Sequence, residues 1–133
     1  MNLSLEGKNA VVCGSTQGIG LAIAEELALL GANCTLMARN EDALKAAVHN
    51  LDIALRQQHG YLVADFSKPD EVKKVIEEHI AKKTVHILIN NSGGPATGPV
   101  IEATEDAFLN TFNQHLICNH ILTKAVVPSM KKE

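Results

Sequence analysis

The spacing of apolar and polar positions changes several times along this chain, and each change marks an element. Residues 8–13 enter a short apolar run, Ala10-Val11-Val12-Cys13, that predicts a strand. Over 18–30 the apolar residues take helical spacing, with Glu25 and Glu26 on the other side and Gly31 at the C-terminal cap. Residues 33–38 predict a second strand, with β-branched Thr35 among apolar neighbours. From 41 to about 58, Leu44, Val48, Leu51 and Leu55 recur at three and four residues, which predicts one long helix. A third strand is expected over 61–64. Ser67 then reads as the cap of a helix that holds Pro69 in its first turn and Asp70 three residues on, and that runs to about 83. Residues 85–89 are nearly all apolar, the mark of a strand buried on both faces of a parallel sheet. A glycine- and proline-rich loop over 93–99 leads to a last helix, from Thr104 to Val127, with Phe108, Phe112 and Leu116 on one face.

Four strands alternating with helices imply right-handed crossovers and an α/β fold, a parallel sheet with helices on both faces. The expected strand order is 3-2-1-4. The crevice between strands one and four is then the topological switch point where such sheets bind ligands. Residues 1–133 are read as a single domain.

Composition narrows the classes of function. The formal net charge is −3 with acids and bases interspersed, so nothing draws the chain to nucleic acid or an anionic membrane. No apolar run reaches membrane-spanning length, and the first residues are no secretory signal. Cys13, Cys34 and Cys118 are odd in number and widely spaced, which reads as buried reduced thiols in a cytoplasmic chain. His115 and His120 are five apart, poor spacing for a metal pair on one helix face, so no metal site is expected.

Candidate chemistry gathers at two strand ends. Gly14-Ser15-Thr16-Gln17-Gly18-Ile19-Gly20 joins a strand to a helix, and such a turn brings backbone N–H groups and a helix N-terminus to a phosphate. Gly14 suits the tight turn, Gly18 keeps a Cβ out of a phosphate's way, and Gly20 allows the helix close to the strand. Asn90-Asn91-Ser92-Gly93 ends strand four beside the same crevice. At the end of strand two, where a carboxylate would hold an unmodified ribose, stands Ala38-Arg39-Asn40. A guanidinium there suits a 2′-phosphate, so the expected cofactor is NADP(H) rather than NAD(H). The plainer alternative makes Arg39 a solvated loop charge.

These motifs resemble the short-chain dehydrogenase/reductase family. Cys13 to Gly20 is similar to its Thr-Gly-x-x-x-Gly-x-Gly signature, and Asn90 to Gly93 to its Asn-Asn-Ala-Gly motif. Asp65 stands where the family keeps an adenine-contacting aspartate, and the whole is similar to 3-oxoacyl-acyl-carrier-protein reductases. The resemblance implies a Rossmann fold truncated after its fourth strand and the following helix. It implies that Gly14, Ser15, Gln17, Gly18, Ile19 and Gly20 line the pyrophosphate and nearby ribose, and that Arg39 meets the 2′-phosphate. Asp65 and Phe66 would then meet the adenine, and Asn91, Ser92 and Gly93 the inner ribose side. Asp65 could instead simply end strand three, and Asn90 and Asn91 could only tie neighbouring strands together.

The departures from the family bear on activity. Cys13 stands for its threonine, a weaker hydrogen-bond partner. The family's catalytic Ser and Tyr-x-x-x-Lys fall beyond Glu133 on this alignment, and Tyr61 is followed four residues on by Asp65, not lysine. A further family asparagine, which holds a water in the proton relay, corresponds to His115. Histidine could take that role, or face inward onto a backbone carbonyl. Expected is therefore a cofactor-binding N-terminal part that lacks the proton relay and is not competent alone. A non-catalytic NADP(H) sensor or partner subunit, and a structural oligomerisation module, are the alternatives. Without a fifth strand, strand four is an open edge and the 104–127 helix keeps its apolar stripe uncovered, which predicts a homo-oligomer.

Overall fold

The computed structural model describes residues 1–94 and 96–133. Strands β1 (Asn9–Cys13), β2 (Asn33–Ala38), β3 (Gly60–Val63) and β4 (Ile87–Ile89) form one parallel sheet in the order β3-β2-β1-β4. In the register of the central pair, Ala10 lies opposite Cys34 and Val12 opposite Leu36. The strand order matches the sequence expectation. Ala10 and Val12 point to one face, against α1 (Gly18–Leu29) and α2 (Glu41–His49). Val11 and Cys13 point to the other, against α3 (Pro69–Ile80) and α5 (Cys118–Met130). The result is a Rossmann-like α/β/α sandwich with two cores, one on each face of β1.

Small residues set how closely α1 lies on the sheet. Gly20, Ala24 and Ala28, four apart, are its buried positions. Gly31 at φ +101° then turns the chain into β2, a left-handed conformation that glycine adopts without strain. On the opposite face Val72, Ile76, Leu122 and Val126 are fully buried, each worth about 1.5–3 kcal/mol over an exposed side chain.

Expectations for four elements need correction. The helix expected to run from 41 to about 58 stops at His49. Its start is secure, since the Asn40 side chain accepts the Ala43 N–H and Glu41 and Asp42 fill the first turn. Beyond it Leu51 still reaches the core while Leu55 is exposed, and Arg56 sits at φ +63°. Side-chain bonds hold this loop instead of a helix ladder. Buried Gln57 donates to the Ala28 carbonyl at 2.6 Å and accepts the Leu55 N–H at 2.9 Å. We expect Gln57→Ala to lose about 1–2 kcal/mol in urea unfolding, because two backbone groups lose their partner.

Ser67 does not cap α3; Lys68 occupies that position, and the Ser67 hydroxyl and N–H both donate to the Asp65 carboxylate. The helix ends at Ile80, not near 83. Strand β4 is shorter than 85–89 and only half-buried, because β1 pairs with it on one side only. Finally, the helix expected over 104–127 is a longer helical run in three parts. These are α4 (Glu105–Phe112), a π-helical turn (Asn113–Ile117) and α5. Thr104 caps it by accepting the Ala107 N–H. A 3-10 turn, Val100–Glu102, precedes it.

Candidate functional site

A groove of about 570 Å³ opens where the C-terminal ends of all four strands meet. Its walls are the glycine turn after β1, residues 37–40 at the end of β2, residues 64–66 after β3 and residues 91–94 after β4. The fold therefore gathers segments that are distant in sequence. A second hollow, of about 470 Å³, runs along the outer face of α3, but alternating lysines and acids line it and compensate one another.

Asn91 locks the glycine turn. Its side-chain amide donates to the carbonyls of Cys13 at 3.3 Å and Gly14 at 3.2 Å. A Cβ on Gly14, at φ +58°, would come within 2.7 Å of the Asn91 carbonyl, and one on Gly20 would overlap the Gly14 carbonyl oxygen. A Cβ on Gly18, at φ +60°, would meet nothing within 4 Å, because that glycine faces the groove. Of the two readings left open for Asn91, the strand-to-strand tie is present in the structure. Asn90 ties elsewhere, donating to the Thr123 hydroxyl at 3.2 Å.

The start of α1 differs from those of the other helices that begin from a loop. No side chain caps it and its first turn holds no acid, whereas α2, α3 and α4 each carry two acids there. Its partial positive charge and free N–H groups are left for something else. The Ser15 side chain beside it is wholly buried, and its hydroxyl has no hydrogen-bond partner. A buried hydroxyl left unpaired costs about 1–3 kcal/mol.

The remaining expected residues are distributed as follows. Gly14, Gln17, Gly18, Arg39, Asp65, Phe66, Asn91, Ser92 and Gly93 all line the groove. Ser15 and Gly20 lie behind its wall, and Ile19 is solvent-exposed. Arg39 is exposed and, among the described residues, makes no ion pair within 4.0 Å. Asp65 ends β3 in a turn; its bonds from Ser67 hold its carboxyl below the usual carboxylate range, with Arg39 and Lys68 adding to the effect. Gln114, in the π-helical turn, also lines the groove and carried no motif that would have marked it.

His115 does not face inward. It is exposed, and its Nδ1 lies 3.0 Å from the Ser92 hydroxyl. Burial pushes Cys13 up to about 12 and Cys34 and Cys118 to about 11, which holds all three as neutral thiols near neutrality. Among the described residues no three His, Cys, Asp or Glu side chains are grouped to hold a metal, and no helix is long and apolar enough to cross a membrane.

The family model described as short chain dehydrogenase matches residues 8–133. A curated relative, inactive hydroxysteroid dehydrogenase-like protein 1 of Homo sapiens, is 35% identical over 126 residues, 93% of this chain and 38% of that protein. The crystal structure of L-sorbose reductase from Gluconobacter frateurii, complexed with NADPH and L-sorbose, superposes with TM-score 0.90 and 31% identity. That match covers 99% of this chain and 51% of the reductase. A 3-oxoacyl (acyl-carrier-protein) reductase from Agrobacterium tumefaciens with NADP bound gives 0.87 and 27%, covering 97% and 50%. The chain thus spans about two fifths to one half of the length of these proteins.

Proposed function

We propose that this chain, which belongs to the short-chain dehydrogenase family and corresponds to its N-terminal part, binds NADP(H) in the groove at the strand ends. The observation that carries this reading is the uncapped, acid-free start of α1, whose glycine turn lines the groove. A pyrophosphate placed there would accept from the free N–H groups of the glycine turn and would meet the positive end of the helix. Gly18 leaves room for it, and Asn91 holds the turn in shape. Gln17, Ile19 and Gly20 complete the turn.

The adenosine half would lie toward β2 and β3. Arg39 has no competing carboxylate and would take the 2′-phosphate, which is why NADP(H) is preferred to NAD(H). Asp65 and Phe66 would hold the adenine, and Asn91, Ser92 and Gly93 the ribose nearer the nicotinamide. When bound, the nicotinamide supplies or accepts a hydride, so the ancestral reaction is reversible reduction of a carbonyl. This chain has a single tyrosine, Tyr61, whose hydroxyl donates to Glu41 at 3.0 Å on the α2 side of the sheet, so it serves no proton transfer at the groove. On this reading the chain binds cofactor and is not a competent reductase alone. A non-catalytic NADP(H)-binding subunit is the second reading, and the relative named inactive favours it.

Titration of the 133-residue chain with NADPH, followed by nicotinamide fluorescence, tests the proposal. Saturable binding is expected, and a linear response with either nucleotide would leave the groove without its cofactor.

We further propose that the chain self-associates through its last helical run. Phe108, Leu109, Phe112 and Leu116 are each more than half exposed, and the adjoining Val100 and Ile101 almost wholly so. Apolar groups so close together favour burial against a second surface. Sedimentation should give a dimer or larger species, reduced toward monomer by Phe108→Glu with Phe112→Glu. A monomer at micromolar concentration for the unmodified chain would contradict it.

A further inference from the structure

The helical run that holds the π turn at 113–117 is tied to the segment after β4 in two places, once at the π turn and once on α5. Asn90 donates to the Thr123 hydroxyl, which itself donates to the Asn119 carbonyl at 2.8 Å; the Asn119 side-chain amide donates to the His115 carbonyl, also at 2.8 Å. Two residues from Asn90, the Ser92 hydroxyl meets His115 Nδ1 at 3.0 Å. The closed set of bonds fixes both the backbone and the ring of His115. Isolated π turns of this kind concentrate at functional sites. Ser92 and Gln114 line the groove, while His115 lies behind Ser92 and stays open to solvent.

A hydroxyl has one proton to give. When His115 Nδ1 is bare, that proton can be spent on the ring, and Ser92 then presents only lone pairs to the groove. When His115 is protonated, Nδ1–H must donate to the Ser92 oxygen, and the hydroxyl proton is released to the groove. We propose that His115 sets the hydrogen-bonding polarity of Ser92, so that protonation of the imidazole turns Ser92 into a donor toward an acceptor-bearing ligand in the groove. The switch rests on the nucleotide-binding reading above, whose ribose and carboxamide oxygens are such acceptors.

Other charged and titratable groups stand on the neighbouring elements and across the groove. Glu105 and Asp106 stand on α4, His120 and Lys124 on α5, and Arg39 and Asp65 across the groove. On α3, which also packs against the π turn, Lys73 and Glu77 share a cleft with His120 and Lys124. The thiols of Cys13 and Cys118 do not titrate near neutrality. A comparison that changes only His115 or Ser92 leaves these contributions in place.

The test is the affinity of the full chain for NADH, which has no 2′-phosphate to titrate, measured by nicotinamide fluorescence from about pH 8 to about pH 5.5. Affinity should rise roughly threefold to fivefold toward acid in the unmodified chain, the worth of about one net hydrogen bond. His115→Asn, which keeps an amide near the Nδ1 position but cannot titrate, and Ser92→Ala should both give flat profiles. Circular dichroism of each variant confirms that it is folded. Equal slopes in the unmodified chain and His115→Asn would overturn the switch and leave cofactor binding intact. No saturable binding of the unmodified chain at any pH would overturn the binding reading and the switch together.

Discussion

Replacing Arg39 with alanine should weaken NADPH binding about 10- to 100-fold while leaving NADH binding within about twofold, the range expected for charge-assisted hydrogen bonds to a phosphate. The reasoning starts at the end of β2, where Ala38-Arg39-Asn40 places a guanidinium on the groove wall. Asn40 accepts the Ala43 N–H as the cap of α2, so it is committed to the helix. Glu41 is occupied as well, by Lys45 at 3.5 Å and by the Tyr61 hydroxyl. Arg39 is the cation left for a ligand at this wall. Titration of both nucleotides against both proteins checks the prediction. An equal loss for NADPH and NADH would mean that Arg39 acts through general charge or folding. No loss with either would return it to a solvated loop residue.

The second large effect is expected at Gly20. Gly20→Ala should cost about 3 kcal/mol, because the added methyl overlaps the Gly14 carbonyl oxygen, a backbone atom that cannot rotate away. The Asn91 amide nitrogen would also lie only 2.7 Å from it. A loss of this size lowers the thermal midpoint of a chain this long by about 10 °C. Adding Asn91→Ala should not rescue the variant, since the carbonyl obstacle remains. Rescue would show that the side-chain contact, not the backbone approach, sets the need for glycine. Relief by pushing α1 away from β1 would also open the turn, so NADPH binding should be lost together with stability.

Much of this geometry was legible from local chemistry. The glycine turn is read from its strand, its three glycines and its helix, because the conformations it requires are ones that glycine tolerates. β1 and β2 and the first helix announce themselves by periodicity, and the crossover rule then leaves few strand orders. Local reasoning failed where distant groups outbid a pattern. Leu51 and Leu55 continue a helical spacing, yet the chain leaves the helix at His49 because Gln57 finds the Ala28 carbonyl far away in sequence. Ser67 looks like a cap, but the Asp65 carboxylate takes its hydroxyl and N–H. The last helix has an uninterrupted pattern, and the π turn within it is invisible until Ser92 is seen against His115 and Asn90 against Thr123 on α5.

By itself, the sequence determined the class of fold, the order of the elements, the glycine turn and the basic residue at the end of β2. These follow from propensity, periodicity and short-range sterics, which act within a few residues. Only the tertiary structure decided that Asn91 locks the turn, that Ser15 is buried without a partner, that Gln114 lines the groove and that His115 is held by Ser92. Each of these depends on hydrogen-bonding groups brought together from separate segments. Which donor meets which acceptor is settled only when the whole chain has closed around the sheet.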